Sequence, residues 1–199
     1  METCDIILFS DPHFLPSRII EFSSQSIYSH VGIIVKDCLG LTGTYILEST
    51  GFSDIPDATD NKIKWGVQIR PFDKVKEEYD GSVFHRRVTC IRDEEFYKNL
   101  ESAYAIVRDA SYNTSPLEWF SLLIGKDVDR EYVVHNSFVC STLVAFIFEK
   151  LNLISRDEDF SLVRPKDLGT ELRRDVDANA STSRVKFINC TVEYEIKIK

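Results

Sequence analysis

The segment from Phe138 to Leu151 reads FVCSTLVAFIFEKL, and it restricts the possible folds more than any other stretch. At helical spacing its apolar residues run nearly all the way round. A helix with almost no polar face must be enclosed by other elements. Asn136 and Ser137 stand just ahead of it as cap candidates. Its mostly apolar part, Phe138 to Phe148, is about half of what a bilayer span requires, so the segment predicts a buried helix and no transmembrane segment. A chain of 199 residues with 43% hydrophobic residues can supply the enclosure as a single domain over 1–199.

The enclosing elements are legible in the first half. Asp5 to Phe9 is a short apolar run that suits a buried strand. His30 to Lys36 (HVGIIVK) is β-branched and apolar, and Thr44 to Ser49 (TYILES) returns after a glycine-bearing turn, which predicts a hairpin. Gly66 to Arg70 and Ser82 to Thr89 are further strands, with a short helix over Phe72 to Tyr79 between them. A short helix is also expected over Pro16 to Ile27, and a polar loop over Gly51 to Asn61. From Asp93 to Ala110, Phe96, Leu100, Tyr104 and Val107 fall on one helical face. A loop follows around Ser111 to Pro116. Pro165 sits in the first turn of another helix, and Val192, Tyr194, Ile196 and Ile198 alternate with polar residues as a half-exposed terminal strand. Strands first and helices later predict an α+β fold, mostly antiparallel, packed on the buried helix.

Charge and cysteine usage narrow the function. The formal net charge is −8, and no dense Lys/Arg run exists, so nucleic acid is set aside as a partner. Five cysteines lie far apart with no C-x-x-C pair, which argues against a disulfide framework and a cysteine-rich zinc site. The N-terminus lacks the basic start and long apolar core of a secretory signal. A cytoplasmic protein is the expectation. P-loop, dinucleotide-binding, nucleophile-elbow and H-E-x-x-H motifs are all missing from the sequence.

What remains is Cys and His. Cys140 falls at the start of the buried helix, where free backbone N–H groups and the positive dipole end favour a thiolate. A buried cysteine that packs as a small hydrophobe is the alternative. Of four histidines, His30 opens a strong strand next to Gly32 and is the best base. His13 and His135 read as loop residues, and His85 lies among basic neighbours that would disfavour its imidazolium. If the two strands pair, Glu48 near the end of one faces His30 at the start of the other. A carboxylate in an apolar strand needs a partner, and His30 can be it; an exposed Glu on a polar face is the alternative. A zinc site built from Cys140, His30 and another histidine is a further rival.

The blocks Asp5–Phe9, Ser29-His30-Val31-Gly32-Ile33, Leu47-Glu48-Ser49 and Phe138–Val144 resemble, in order, those of the circularly permuted NlpC/P60 papain-like thiol hydrolases. That branch includes YiiX-like bacterial proteins and relatives in poxvirus-type viruses. His30 precedes Cys140, as the permuted order implies, and Arg164–Leu168 resembles the block after the cysteine helix. The resemblance implies Cys140 as nucleophile, His30 as base, Glu48 as the acid orienting His30, and Tyr112 lining the substrate cleft. It implies no cofactor and no metal. Cys4 stands where the family usually has Gly.

Together these readings predict a thiol hydrolase acting on a peptide, isopeptide or lipid-linked acyl substrate through an acyl-enzyme, with acyl transfer to an amine or alcohol as a variant. The alternative is a catalytically silent papain-like domain that serves as a binding or virion interaction module. Oligomeric state is left open.

Overall fold

The β-branched runs pair as their alternation requires. A computed structural model describes residues 1–11, 27–51, 54–112, 137–157, 159–170 and 185–199. Its strands are β1 (Ile6–Ser10), β2 (His30–Lys36), β3 (Thr44–Thr50), β4 (Gly66–Pro71), β5 (Ser82–Arg86), β6 (Val88–Cys90), β7 (Ser111–Tyr112), β8 (Ser137–Phe138), β9 (Cys190–Val192) and β10 (Ile196–Lys197). Its helices are α1 (Phe72–Glu78), α2 (Glu94–Val107), α3 (Cys140–Lys150) and α4 (Pro165–Leu168), with a 3-10 turn at Phe160–Leu162. An eight-stranded sheet runs β10-β5-β1-β2-β3-β4-β7-β8, antiparallel except at β7–β8, and β6 pairs with β9 separately. The chain is therefore mixed α/β with a mostly antiparallel sheet and, among the described residues, four helices.

The predicted hairpin forms: Ile33 faces Leu47 and Lys36 faces Thr44. Alternation then sorts the two faces of the sheet. Val31, Ile33, Val35, Leu47, Val67 and Ile69 join Leu143, Val144 and Ile147 of α3 in the main core. Ile7, Phe9, Ile34 and Ile46 meet Phe72 and Val75 of α1 on the other side. Nine of the eleven residues of α3 are buried, as its missing polar face demands.

Several expectations change in detail. The buried helix begins at Cys140 behind N-cap Val139, because Ser137 and Phe138 are taken up as β8, parallel to β7. Asn136 lies outside the described residues, as do His13, His135 and the segment expected to be a helix from Pro16 to Ser26. Ser111 and Tyr112, expected in a loop, add a short strand beside β4. On α2, capped by the Asp93 side chain accepting from Phe96 N–H, Ala103 rather than Tyr104 completes the buried face with Phe96, Leu100 and Val107. The closing strand is two pieces: β9 pairs with β6, and β10 extends the main sheet beyond β5.

Two local features matter below. Cys4 has φ 70°, the left-handed region that favours glycine, so this cysteine sits at a position where Gly has a steric advantage. In the β6–β9 pair, Cys90 lies directly opposite Cys190. Glu193 N–H donates to Arg87 O at the next hydrogen-bonded step of that ladder. Alternation from there makes Cys90–Cys190 a non-hydrogen-bonded pair, the type in which opposed Cα atoms come within about 4.5 Å.

Candidate functional site

The sheet register gathers the site at one end. Phe9 pairs with His30, and continuing the β2–β3 register brings His30 opposite Thr50. Thr50 pairs with Gly66, Gly66 with Ser111, and Ser111 with Ser137. Residues from six strands thus form one transverse row, and Cys140 follows Ser137 by a single short step. The tip of α3 and the start of β2 therefore meet although 110 residues separate His30 from Cys140.

Glu48, wholly buried, is the centre of the polar network. Its Oε2 lies 2.5 Å from His30 Nε2. Its Oε1 accepts from Arg70 Nε at 3.0 Å and Nη2 at 2.6 Å. Burial pushes the carboxyl up, but the Arg70 charge and then His30 outweigh that and hold it at about 2. Burial likewise works against a charged His30. The negative charge and hydrogen bond of the Cys140 sulfur, followed by those of Glu48, more than compensate and raise the imidazole to about 10. Because Nε2 is engaged with Glu48, Nδ1 is the nitrogen left for the sulfur. The His30 side chain keeps 20% exposure, and Cys140 keeps 7%.

Gly32 lets this cluster close. A Cβ there would come within 2.7 Å of Ile46 Cδ1 and 3.1 Å of Glu48 Cβ. At the head of α3, Val139 N–H donates to Thr142 Oγ1 at 3.2 Å, and Ser141 Oγ donates to Val163 O at 2.6 Å. The helix tip is thereby fixed to the segment preceding α4. The first N–H groups of a helix have no intrahelical acceptors, and Cys140 is the first residue of this one.

All four residues singled out in the sequence come to this end of the sheet. Tyr112 is half-buried on β7, and burial, with the nearby Cys140 charge second, pushes its phenol well above its ordinary value. Arg70 was not foreseen. Its signal was alternation alone: in Gly66–Arg70, Gln68 and Arg70 share a face, and the β3–β4 pairing puts that face with Glu48. His85 corrects an expectation. Beside its basic neighbours in sequence it has an acidic partner, buried Asp5 at 2.7 Å, which also accepts from Val88 N–H at 3.0 Å and lies 3.9 Å from Arg92. Arg86 points to the opposite face, where its Nε donates to Glu193 O.

No protein-family model matches the chain, and no curated protein matches it. Among solved structures its fold is similar to that of the metalloprotein YiiX from Escherichia coli O157:H7, at TM-score 0.50 and 19% sequence identity. The match covers 75% of this chain and 66% of the YiiX chain, just under two thirds of that protein's length. At this identity the likeness is one of fold. No described helix is long and apolar enough to cross a membrane.

Proposed function

We propose that the chain is a cysteine-dependent hydrolase of the circularly permuted NlpC/P60, papain-like type, acting on an amide, isopeptide or ester bond. The observation that carries this reading is the convergence of Cys140, His30 and Glu48 from three distant stretches of chain. In the proposed reaction the Cys140 thiolate attacks the substrate carbonyl carbon, and a C–S bond forms. The His30 imidazolium gives its proton to the leaving nitrogen or oxygen as that bond breaks. Neutral His30 then takes a proton from water, whose oxygen attacks the thioester carbonyl as the C–S bond breaks, which releases the free acid and restores the Cys140 thiolate and the His30 imidazolium. Glu48 touches no reacting atom in this scheme; it holds the ring in one tautomer and stabilises its charge. The open N–H groups at the tip of α3 are placed to stabilise the oxyanion. Viral and YiiX-like kinship belong to the same proposal.

The similar structure, YiiX, is that of a metalloprotein. The donors of this site do not suit a metal. Both Glu48 oxygens are engaged, one by Arg70 and one by His30. Among the described residues no group of three His, Cys, Asp or Glu is arranged to hold an ion. No step is routed through a metal.

The test is thiol chemistry. At neutral pH iodoacetamide should label Cys140 well before Cys4, Cys38, Cys90 or Cys190, and p-nitrophenyl acetate should leave an acetyl group on Cys140 in the intact mass. His30→Ala and Glu48→Gln should each slow both reactions, by roughly 10² to 10⁴ for loss of the acid–base group. Equal labelling of all five cysteines and no acetyl adduct would instead leave a papain-like domain used for binding.

A further inference from the structure

A cavity of about 510 Å³ lies on the sheet face that carries His30, Glu48 and Arg70. Asp54, Ile55, Ile63 and Trp65, between β3 and β4, form one wall, and Val75, Glu78 and Tyr79, at the end of α1, form the other. It borders the candidate site at two corners. On one side Tyr79 of its lining stacks on Phe9 at 4.9 Å, and Phe9 in turn lies 5.2 Å from the His30 ring. On the other, a Cβ on its Gly51 would sit 3.6 Å from the Tyr112 ring, which feels the charge of Cys140.

The lining has an uncommon composition for solvent-facing surface. Trp65 and Ile63 are 60% and 59% exposed at its rim, and Ile55 and Val75 are buried behind them. Large apolar side chains left in water next to one another mark a surface that gains by being covered. Among the described residues the charges on the wall are Asp54, Glu78 and Arg70. Arg70 is committed to Glu48 through two hydrogen bonds. Among the described residues Asp54 and Glu78 make no ion pair, and their exposed carboxylates stand beside the apolar side chains of the described wall.

We propose that this cavity is the subsite that selects the substrate of Cys140, and that it takes a side chain with an apolar stem ending in a positive charge, as in lysine or arginine. The proposal rests on the hydrolase reading above. An alkyl stem covers Ile63 and the exposed part of Trp65, and the cationic end meets Asp54 and Glu78. An acidic side chain would meet like charge at the same place.

The test separates the subsite from the chemistry. Full-length protein labelled with 5-fluorotryptophan has two fluorine signals, since the chain has two tryptophans, and Trp65→Phe identifies the one from Trp65. Hexylamine, hexanol and hexanoate are then titrated at neutral pH. The Trp65 signal should shift saturably, with hexylamine bound roughly threefold to tenfold tighter than hexanol, the size expected of one or two exposed ion pairs, and with hexanoate weakest. Asp54→Asn together with Glu78→Gln, both on exposed side chains, should abolish the preference while hexanol binding persists. Equal binding of the three probes, or a preference that survives the double substitution, overturns the subsite. In parallel, N-acetyl-lysine and N-acetyl-glutamate p-nitrophenyl esters are offered as substrates, and kcat/KM should favour lysine by a similar factor. If neither ester turns over while the Trp65 titration behaves as described, the hydrolase reading has failed and the cation-binding cavity stands.

Discussion

Glu48 shows how much of a site one side chain can organise. A carboxylate with no exposure survives in the sheet because each oxygen has a charged partner. Arg70→Met should therefore do more than remove a surface charge. It strands Oε1 without a donor, and urea unfolding should show a loss of about 3–5 kcal/mol, the usual consequence of breaking a buried pair. The same variant should raise the Glu48 carboxyl and lower the His30 imidazole, which a carbon-13 NMR titration of the labelled ring reads directly. Cys140, His30 and Glu48 were legible in the sequence because each violates its surroundings: a thiol at a helix start, an imidazole opening a strand, an acid within an apolar run. Arg70 violates nothing. It is next to last in β4, beyond the 15 residues that separate Thr50 from Gly66, and only the register across that connection brings it to Glu48.

Elements were readable where local pattern and tertiary demand agree. The β2–β3 hairpin and α2, with its Asp93 cap, follow from alternation and spacing alone. β7, β8 and the division of the last strand do not, because two-residue and three-residue pairings are decided by the partner edge rather than by the residues themselves. The hairpin also depends on a feature that periodicity does not reveal, the absence of a side chain at Gly32. Gly32→Ala would drive a methyl group against Ile46 and the stem of Glu48. The expected result is a loss of about 1–3 kcal/mol in urea unfolding, the range typical of overpacking, together with slower alkylation of Cys140. Gly40→Ala is the control: its Cβ would meet nothing within 4 Å, so its cost should come from the positive φ alone and should leave alkylation unchanged.

For the molecule as a whole, buried charges set a window of pH in which it is most stable. Glu48 titrates lower in the folded state, from 4.5 to about 2, so its contribution is complete above 4.5 and is lost as pH falls toward 2. Burial opposes a charged Asp5, yet hydrogen bonds from His85 and Val88 leave its carboxyl below the ordinary range, which deepens the acid flank. His30 titrates higher in the folded state, from 6.5 to about 10, so its contribution is complete below 6.5 and disappears as pH rises toward 10. Thermal unfolding scans should place the highest Tm between about pH 4.5 and 6.5, with Glu48→Gln flattening the acid side. The facing thiols of β6 and β9 carry a separate consequence. Cys90 and Cys190 already have the spacing that a cross-strand bridge needs, while burial first, and the Cys90 charge second, pushes the Cys190 thiol up to about 11. Diamide, accepting the two thiol hydrogens, should join them slowly at neutral pH and faster in mild alkali, as intact mass after digestion would reveal; Cys190→Ser should prevent the product. Such a staple would close a loop of about 100 residues and, by loop entropy, add up to about 4–5 kcal/mol of stability. In an oxidising vessel the two strands of the small second sheet would then be tied by a covalent bond that the reduced protein carries only in outline.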